Sequence, residues 1–92
     1  MGAPPRRVRI PDEVADLIRR MHPELKRKVR DSLKIIMTSP TEGKALRDEL
    51  ADLRSFRVGR FRIIYRLHRN TVEIVAIGPR ERIYEDTYRL IK

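Results

Sequence analysis

Three arginines and a tyrosine in the second half of the chain carry the clearest chemical signal: Arg57, Arg62, Arg80 and, shortly after it, Tyr84. An arginine presents a planar fork of donors that matches a phosphate, and it keeps its charge at any accessible pH. A tyrosine beside it offers a ring on which a nucleobase stacks. These residue types suit a polyanion gripped by its phosphates. The histidines do not form an acid–base pair. His68 is expected about 20 Å along its strand from Arg62, and His22 falls in a helix junction, so both are read as structural. The sequence contains no HExxH, cysteine cluster, GxGxxG or P-loop pattern. No motif therefore calls for a metal, a nucleotide or another small-molecule cofactor.

Convergence of the arginines depends on strand register. From Arg54 onward the apolar residues recur with a period of two. Gly59-Arg60 has the form of a two-residue turn with glycine first, which favours type II′. This sets Val58 against Phe61, Arg57 against Arg62 and Phe56 against Ile63. Arg57 and Arg62 then have Cβ atoms about 4.5–5.5 Å apart and repel unless an anion lies between them. The next strand spans 61–68, Arg69-Asn70 makes a second tight turn, and a third strand spans 71–78. That register sets Leu67 against Val72, Arg66 against Glu73, Tyr65 against Ile74 and Ile63 against Ala76. Glu73 neutralises Arg66, which is read as structural, while Arg62 lies beside Ile77 with Arg80 just beyond. Phe56, Val58, Ile63, Tyr65, Ile74 and Ala76 share the core side. The opposite side carries Arg57 and Arg62 next to Ile64, Val75 and Ile77, an apolar strip that the C-terminal segment or a partner must cover.

The elements upstream follow from the same patterns. Arg7–Ile10 alternates and ends at Pro11, as a short strand does. Val14, Leu17, Ile18 and Met21 place an amphipathic helix over Asp12–Met21. Pro23 suits the first position of a second helix, whose stripe of Leu25, Val29, Leu33 and Ile36 runs to about Met37. So tight a junction predicts an antiparallel helical hairpin. Lys26, Arg27, Lys28, Arg30 and Lys34 cover its outer face and are candidate RNA-binding residues. Ser39-Pro40-Thr41 is a loop, Leu46, Leu50 and Leu53 line one short extra helix, and residues 83–92 form a last helical segment. Gly2–Pro5 is a loose N-terminus.

The fold class is therefore α+β: an N-terminal strand, a helical hairpin, a three-stranded antiparallel meander and a short C-terminal segment. With 92 residues this is one domain, spanning 1–92. Twenty-two Lys and Arg against 13 Asp and Glu give a net charge of +9, the balance of a domain that meets nucleic acid, an anionic surface or an acidic protein. There is no cysteine, so no disulfide or thiolate framework. No apolar run is long enough to span a membrane, and Met1–Arg9 lacks the apolar core of a secretory signal. A cytoplasmic protein is expected.

The stretch from Arg54 to Leu67, Arg-Ser-Phe-Arg-Val-Gly-Arg-Phe-Arg-Ile-Ile-Tyr-Arg-Leu, resembles the signature hairpin of the RelE/ParE toxin superfamily. Ile77-Gly78-Pro79-Arg80-Glu81-Arg82-Ile83-Tyr84 resembles its closing motif, a strand end followed by an arginine and a tyrosine. The resemblance covers nearly the whole chain and implies the toxin of a type II toxin–antitoxin pair with a RelE-like fold. It implies an endoribonuclease that cuts mRNA at the ribosome by attack of a ribose 2′-OH on the adjacent phosphate, and so inhibits translation. Arg62 and Arg80 match arginines of the family's catalytic site. Arg57 falls where RelE carries a catalytic lysine, and Tyr84 is the counterpart of its tyrosine at shorter spacing. Ser55 stands where RelE has another lysine. With arginine at 57, no lysine of that strand remains to act as general base, and Glu81 is an alternative. The implied partners are an acidic cognate antitoxin, the ribosome and mRNA. Two other functions fit the same features: a ParE-type inhibitor of DNA gyrase, or a non-catalytic basic RNA-binding module.

Overall fold

The structure is a computed structural model that describes residues 7–91. The loose terminus expected at Gly2–Pro5 lies outside the described residues, as does Lys92. The order is β1 (Arg7–Arg9), α1 (Asp12–Arg19), α2 (Pro23–Thr38), a 3₁₀ turn (Pro40–Glu42), β2 (Lys44–Ala45), a second 3₁₀ turn (Asp48–Leu50), β3 (Arg54–Val58), β4 (Phe61–His68), β5 (Thr71–Pro79) and α3 (Arg80–Ile91). The α+β class stands. The meander forms the centre of a wider sheet of five strands, ordered β1-β5-β4-β3-β2. β1 joins β5 in parallel at one edge, and the two-residue β2 joins β3 antiparallel at the other.

Pro23 explains the helical hairpin. It occupies the first turn of α2 and holds His22 at φ −55, ψ 141, because a residue before proline is pushed out of the α region. α1 stops at Arg19, with Arg20 as its C-cap, rather than reaching Met21. His22 caps α2, its Nδ1 accepting the Glu24 N–H at 3.2 Å. That satisfies one of the orphan donors of a helix start and accounts for the histidine structurally. The single helix expected over Leu46, Leu50 and Leu53 is replaced by β2 and a 3₁₀ turn. Asp48 has φ 56, a left-handed conformation no right-handed helix passes through. The three leucines still turn inward, Leu53 being fully buried.

The first hairpin has the expected register, with Val58 against Phe61, Arg57 against Arg62 and Phe56 against Ile63. Gly59 has φ 61, the backbone that a leading glycine permits. The second hairpin holds its expected register only as far as Tyr65 against Ile74. The next pair is Ile64 against Ala76, which leaves Val75 as the extra residue of a β-bulge. A bulge restarts the in–out alternation one residue late. Ile63 therefore faces Ile77, not Ala76, and Arg62 faces Gly78, not Ile77. Ile77 belongs to the core side and Ala76 to the opposite one, the reverse of the expectation.

Each side of the sheet has its own core. On one, Val14, Val29 and Ile36 of the helical hairpin pack on Ile63, Tyr65 and Ile74. On the other, Ile83 and Tyr84 of α3 pack with Leu53 over Ile64 and Ala76. Burying an isoleucine such as Ile83 is worth about 1.5–3 kcal/mol, which seats α3 through its first turn. Its far end is loosely covered, Leu90 and Ile91 being 60% and 41% exposed. Among the described residues no helix is long and apolar enough to cross a membrane.

Candidate functional site

The arginines lie on the α3 side of the sheet. Arg62 and Ser55 flank the buried Ile64 there, since Ser55 pairs with Ile64 and Arg57 with Arg62. α3 begins at Arg80, directly after Pro79 ends β5. The Arg80 N–H donates to the Arg60 carbonyl at 2.9 Å, which fastens the start of α3 to the tip of the first hairpin. Arg80 and Tyr84 are then one helical turn apart on one face of α3, and that face looks onto Arg62.

Arg62, Arg80 and Tyr84 border one open cleft of about 420 Å³, with Lys44, Leu46 and Arg47 along its other wall. Arg57 does not reach it. Its Nε donates to the Gly59 carbonyl at 3.3 Å, and with Arg60, Arg80 and Glu81 it borders a second cleft of about 190 Å³. The two clefts meet at Arg80. The cross-strand pair Arg57 and Arg62 thus splays, one guanidinium to each cleft, which relieves the repulsion of directly opposed like charges. Lys44, Arg47, Arg57, Arg60, Arg62 and Arg80 have no ion-pair partner among the described residues.

Ser55, 2% exposed, ties the larger cleft together. Its Oγ lies 3.1 Å from the Tyr84 hydroxyl and 3.5 Å from Arg62 Nη1. The Arg62 Nε is buried without an acceptor among the described residues, an incomplete satisfaction that a buried donor rarely shows. The wall bearing Lys44 is also held from the sheet. The Tyr65 hydroxyl donates to the Pro40 carbonyl at 2.6 Å and accepts the Gly43 N–H at 3.0 Å. Arg54 Nη1 donates to the Gly43 carbonyl at 2.7 Å. Burial first of all pushes the Tyr65 phenol above its ordinary value of 10.0, so it remains a neutral donor.

Arg66 is accounted for away from the clefts. Its Nε donates to Glu73 at 2.6 Å and its Nη1 to Asp52 at 3.2 Å. The hydrogen bond from Arg66 is the main cause that lowers the Glu73 carboxyl below its ordinary 4.5. Lys26, Arg27, Lys28, Arg30 and Lys34 are on α2, which packs against the other side of the sheet. They form a separate basic surface and do not line either cleft. Sequence reasoning missed Ser55 as a linking group, though its place two residues before Arg57 on an alternating strand put it on the right face. It also missed Lys44 and Arg47, whose positions are set by the tether to Tyr65. Among the described residues no group of three or more His, Cys, Asp or Glu is placed to hold a metal ion.

The family model for the ParE toxin of type II toxin–antitoxin systems, parDE, matches residues 4–84. The chain belongs to the ParE toxin family. The match spans the hairpin and the closing motif through Tyr84, and it bears out the superfamily those motifs suggested. By fold this ParE-family toxin is similar to solved RelE proteins. A chain of the RelBE2 toxin–antitoxin complex from Mycobacterium tuberculosis aligns with TM-score 0.72 at 29% identity, over 83% of this chain and 99% of that one. A doubly substituted E. coli RelE in the free state aligns with TM-score 0.77 at 16% identity, over 96% and 99%. A chain of the archaeal RelE–RelB complex from Pyrococcus horikoshii aligns with TM-score 0.70 at 22% identity, over 84% and 97%. No curated protein matches the chain by sequence.

Proposed function

We propose that this toxin is an endoribonuclease that cleaves mRNA at the ribosome and so stops translation. The reading is carried by the cleft in which Arg62, Arg80 and Tyr84 converge without a carboxylate partner. In the proposed step the ribose 2′-oxygen attacks the adjacent phosphorus and the 5′-oxygen leaves. The products are a 2′,3′-cyclic phosphate and a 5′-hydroxyl, with one proton lost from the 2′-OH and one gained by the leaving oxygen. Arg62 and Arg80 hold the scissile phosphate and stabilise the charge that builds on it, a contribution worth about 3 kcal/mol per well-aimed donor. Tyr84 presents its ring to a flanking base. Its hydroxyl is fixed by Ser55. The arginines do not exchange protons. Lys44 and Tyr84 on the larger cleft and Glu81 on the smaller are the bordering side chains of a type that does.

The basic surface of α2 supplies sequence-independent attraction to ribosomal RNA, and the cytoplasm is the proposed place of action. An acidic antitoxin is the natural inhibitor of so basic a chain. Solved relatives in complexes named for RelB and RelE support such a partner. The second reading is inhibition of DNA gyrase, favoured by the match to the ParE family model. A non-catalytic RNA-binding module is the third. Induction of the toxin followed by mapping of RNA 5′ ends separates them. In-frame clusters of 5′-hydroxyl ends facing cyclic-phosphate ends support cleavage. Gyrase-linked DNA breaks with intact mRNA support the second reading, and neither kind of break leaves the third.

A further inference from the structure

The smaller cleft is not explained by holding a single scissile phosphate. Arg57, Arg60 and Arg80 border it with one acid, Glu81, and none of the three arginines has an ion-pair partner among the described residues. Three guanidiniums gathered around about 190 Å³ repel one another, and the arrangement is relieved by an anion. Their positions are set by the backbone. Gly59 with φ 61 makes the tight turn, Arg57 Nε is tied to the Gly59 carbonyl, and the Arg80 N–H is tied to the Arg60 carbonyl. The backbone frame of the cleft and the Arg57 guanidinium are thus preformed, which lowers the ordering cost of binding.

Arg80 belongs to both clefts. A free anion would need only one of them. A chain of phosphates linked by sugars can lie across Arg80 and fill both. We propose that the smaller cleft is a second phosphate subsite, which takes the backbone phosphate adjacent to the scissile one. Arg57 then grips the strand rather than the reacting group, and Arg60 joins it as a residue that fixes how the strand lies. Glu81, an acceptor beside the three donors, suits a ribose hydroxyl next to that phosphate. This assignment rests on the proposed cleavage of RNA in the larger cleft.

The test uses the full chain and an oligoribonucleotide made uncleavable by a 2′-deoxy substitution at the cut position. Each backbone phosphate is replaced in turn by an uncharged methylphosphonate, and binding is followed by fluorescence anisotropy. Loss of one charge-assisted contact weakens binding about tenfold. Neutralising one phosphate next to the scissile position is expected to weaken wild-type binding by that factor. Arg60→Ala is expected to weaken it equally, and the two changes together no more than either alone. Arg60→Ala should also flatten the dependence of log affinity on log salt by about 0.7. Arg60 is an exposed turn residue, and circular dichroism of the variant verifies that it folds. If every phosphate replacement has the same cost in Arg60→Ala as in wild type, the second subsite is overturned, while coupling of Arg62→Ala to the scissile phosphate leaves the proposed function standing. Coupling at Arg60 with no cleavage of the unmodified RNA on ribosomes keeps the subsite and removes the proposed cleavage. Absence of any binding by the free chain removes the second subsite, while cleavage of the unmodified RNA on ribosomes still decides the proposed function.

Discussion

Tyr65→Phe tests how the wall bearing Lys44 is held. The ring of Tyr65 is fully buried, and phenylalanine keeps it. The substitution removes the hydroxyl that donates to the Pro40 carbonyl and accepts the Gly43 N–H. Pro40 and Gly43 are themselves buried, so both backbone groups lose a partner where water does not easily replace it. Each abandoned group costs about 1–3 kcal/mol, so about 3 kcal/mol is expected for the pair. At about 4–8 °C per kcal/mol for a domain of this size, Tm should fall by about 12–24 °C in a thermal melt followed by circular dichroism. The urea slope should stay unchanged, because the surface exposed on unfolding is the same. The variant should also lose an alkaline signature. Burial raises the folded-state Tyr65 pKa above 10.0, so the native state holds this proton more tightly than the unfolded chain. The resulting stability is fully present below about pH 10 and declines as pH rises toward the folded value; in Tyr65→Phe that part of the decline is absent. A Tm loss under about 3 °C would refute the reasoning, for it would mean that the loop is held by Arg54 and its own packing.

Arg62→Ala and Arg80→Ala should each lower cleavage by roughly 10²-fold or more in a translation-coupled assay while remaining folded; full activity in both would put the chemistry elsewhere. Ser55→Ala removes the oxygen between Tyr84 and Arg62 and should slow cleavage about fivefold, the scale of one neutral hydrogen bond, with a Tm loss of about 4–8 °C. Reversing three of the α2 charges, for example Lys26, Arg30 and Lys34 to Glu, should flatten the salt dependence of ribosome binding; an unchanged slope would show that the surface is merely solvated. Hydrogen exchange of the free toxin and of its complex with an acidic antitoxin should show protection gained in strands 61–67 and 72–77, or faster exchange in α3 as it is displaced. Protection confined to α1 and α2 would put the interface on the helical hairpin instead.

Local chemistry was legible in the sequence where it was local in the chain. The Gly59-Arg60 turn fixed the first hairpin, and with it the pairing of Arg57 with Arg62, because a two-residue turn admits one register. Arg66 was identified as structural from Glu73 alone, two strand positions that face each other across a short turn. The bulge at Val75 was not legible, since an unbroken run of apolar residues alternates equally well in either phase. The separation of Arg57 from Tyr84 was missed for a related reason. The sequence shows that two side chains share a face, but not that their repulsion sends them to different clefts. Placing the last helix at Ile83 rather than Arg80 concealed the one-turn relation of Arg80 to Tyr84. Lys44 and Arg47 were invisible because a loop joins the site through a tyrosine 22 residues away from its contact.

The bulge works as a phase shifter between two halves of one strand. Before Val75, β5 is clocked by the helical hairpin, whose core needs Val72 and Ile74. After it, Ala76 lies under α3 and Ile77 turns back to the hairpin, so the strand leaves the sheet in a new rotational setting. Gly78, Pro79 and Arg80 inherit that setting, and every residue of α3 inherits it from them. Straightening the bulge with Val75 retained would leave the upstream core in register yet set Ile77 rather than Gly78 against Arg62 and rotate the exit of the strand by half a turn, carrying Arg80 away from Arg62. The alignment of the two clefts is therefore adjustable by single-residue changes at a site that touches neither of them.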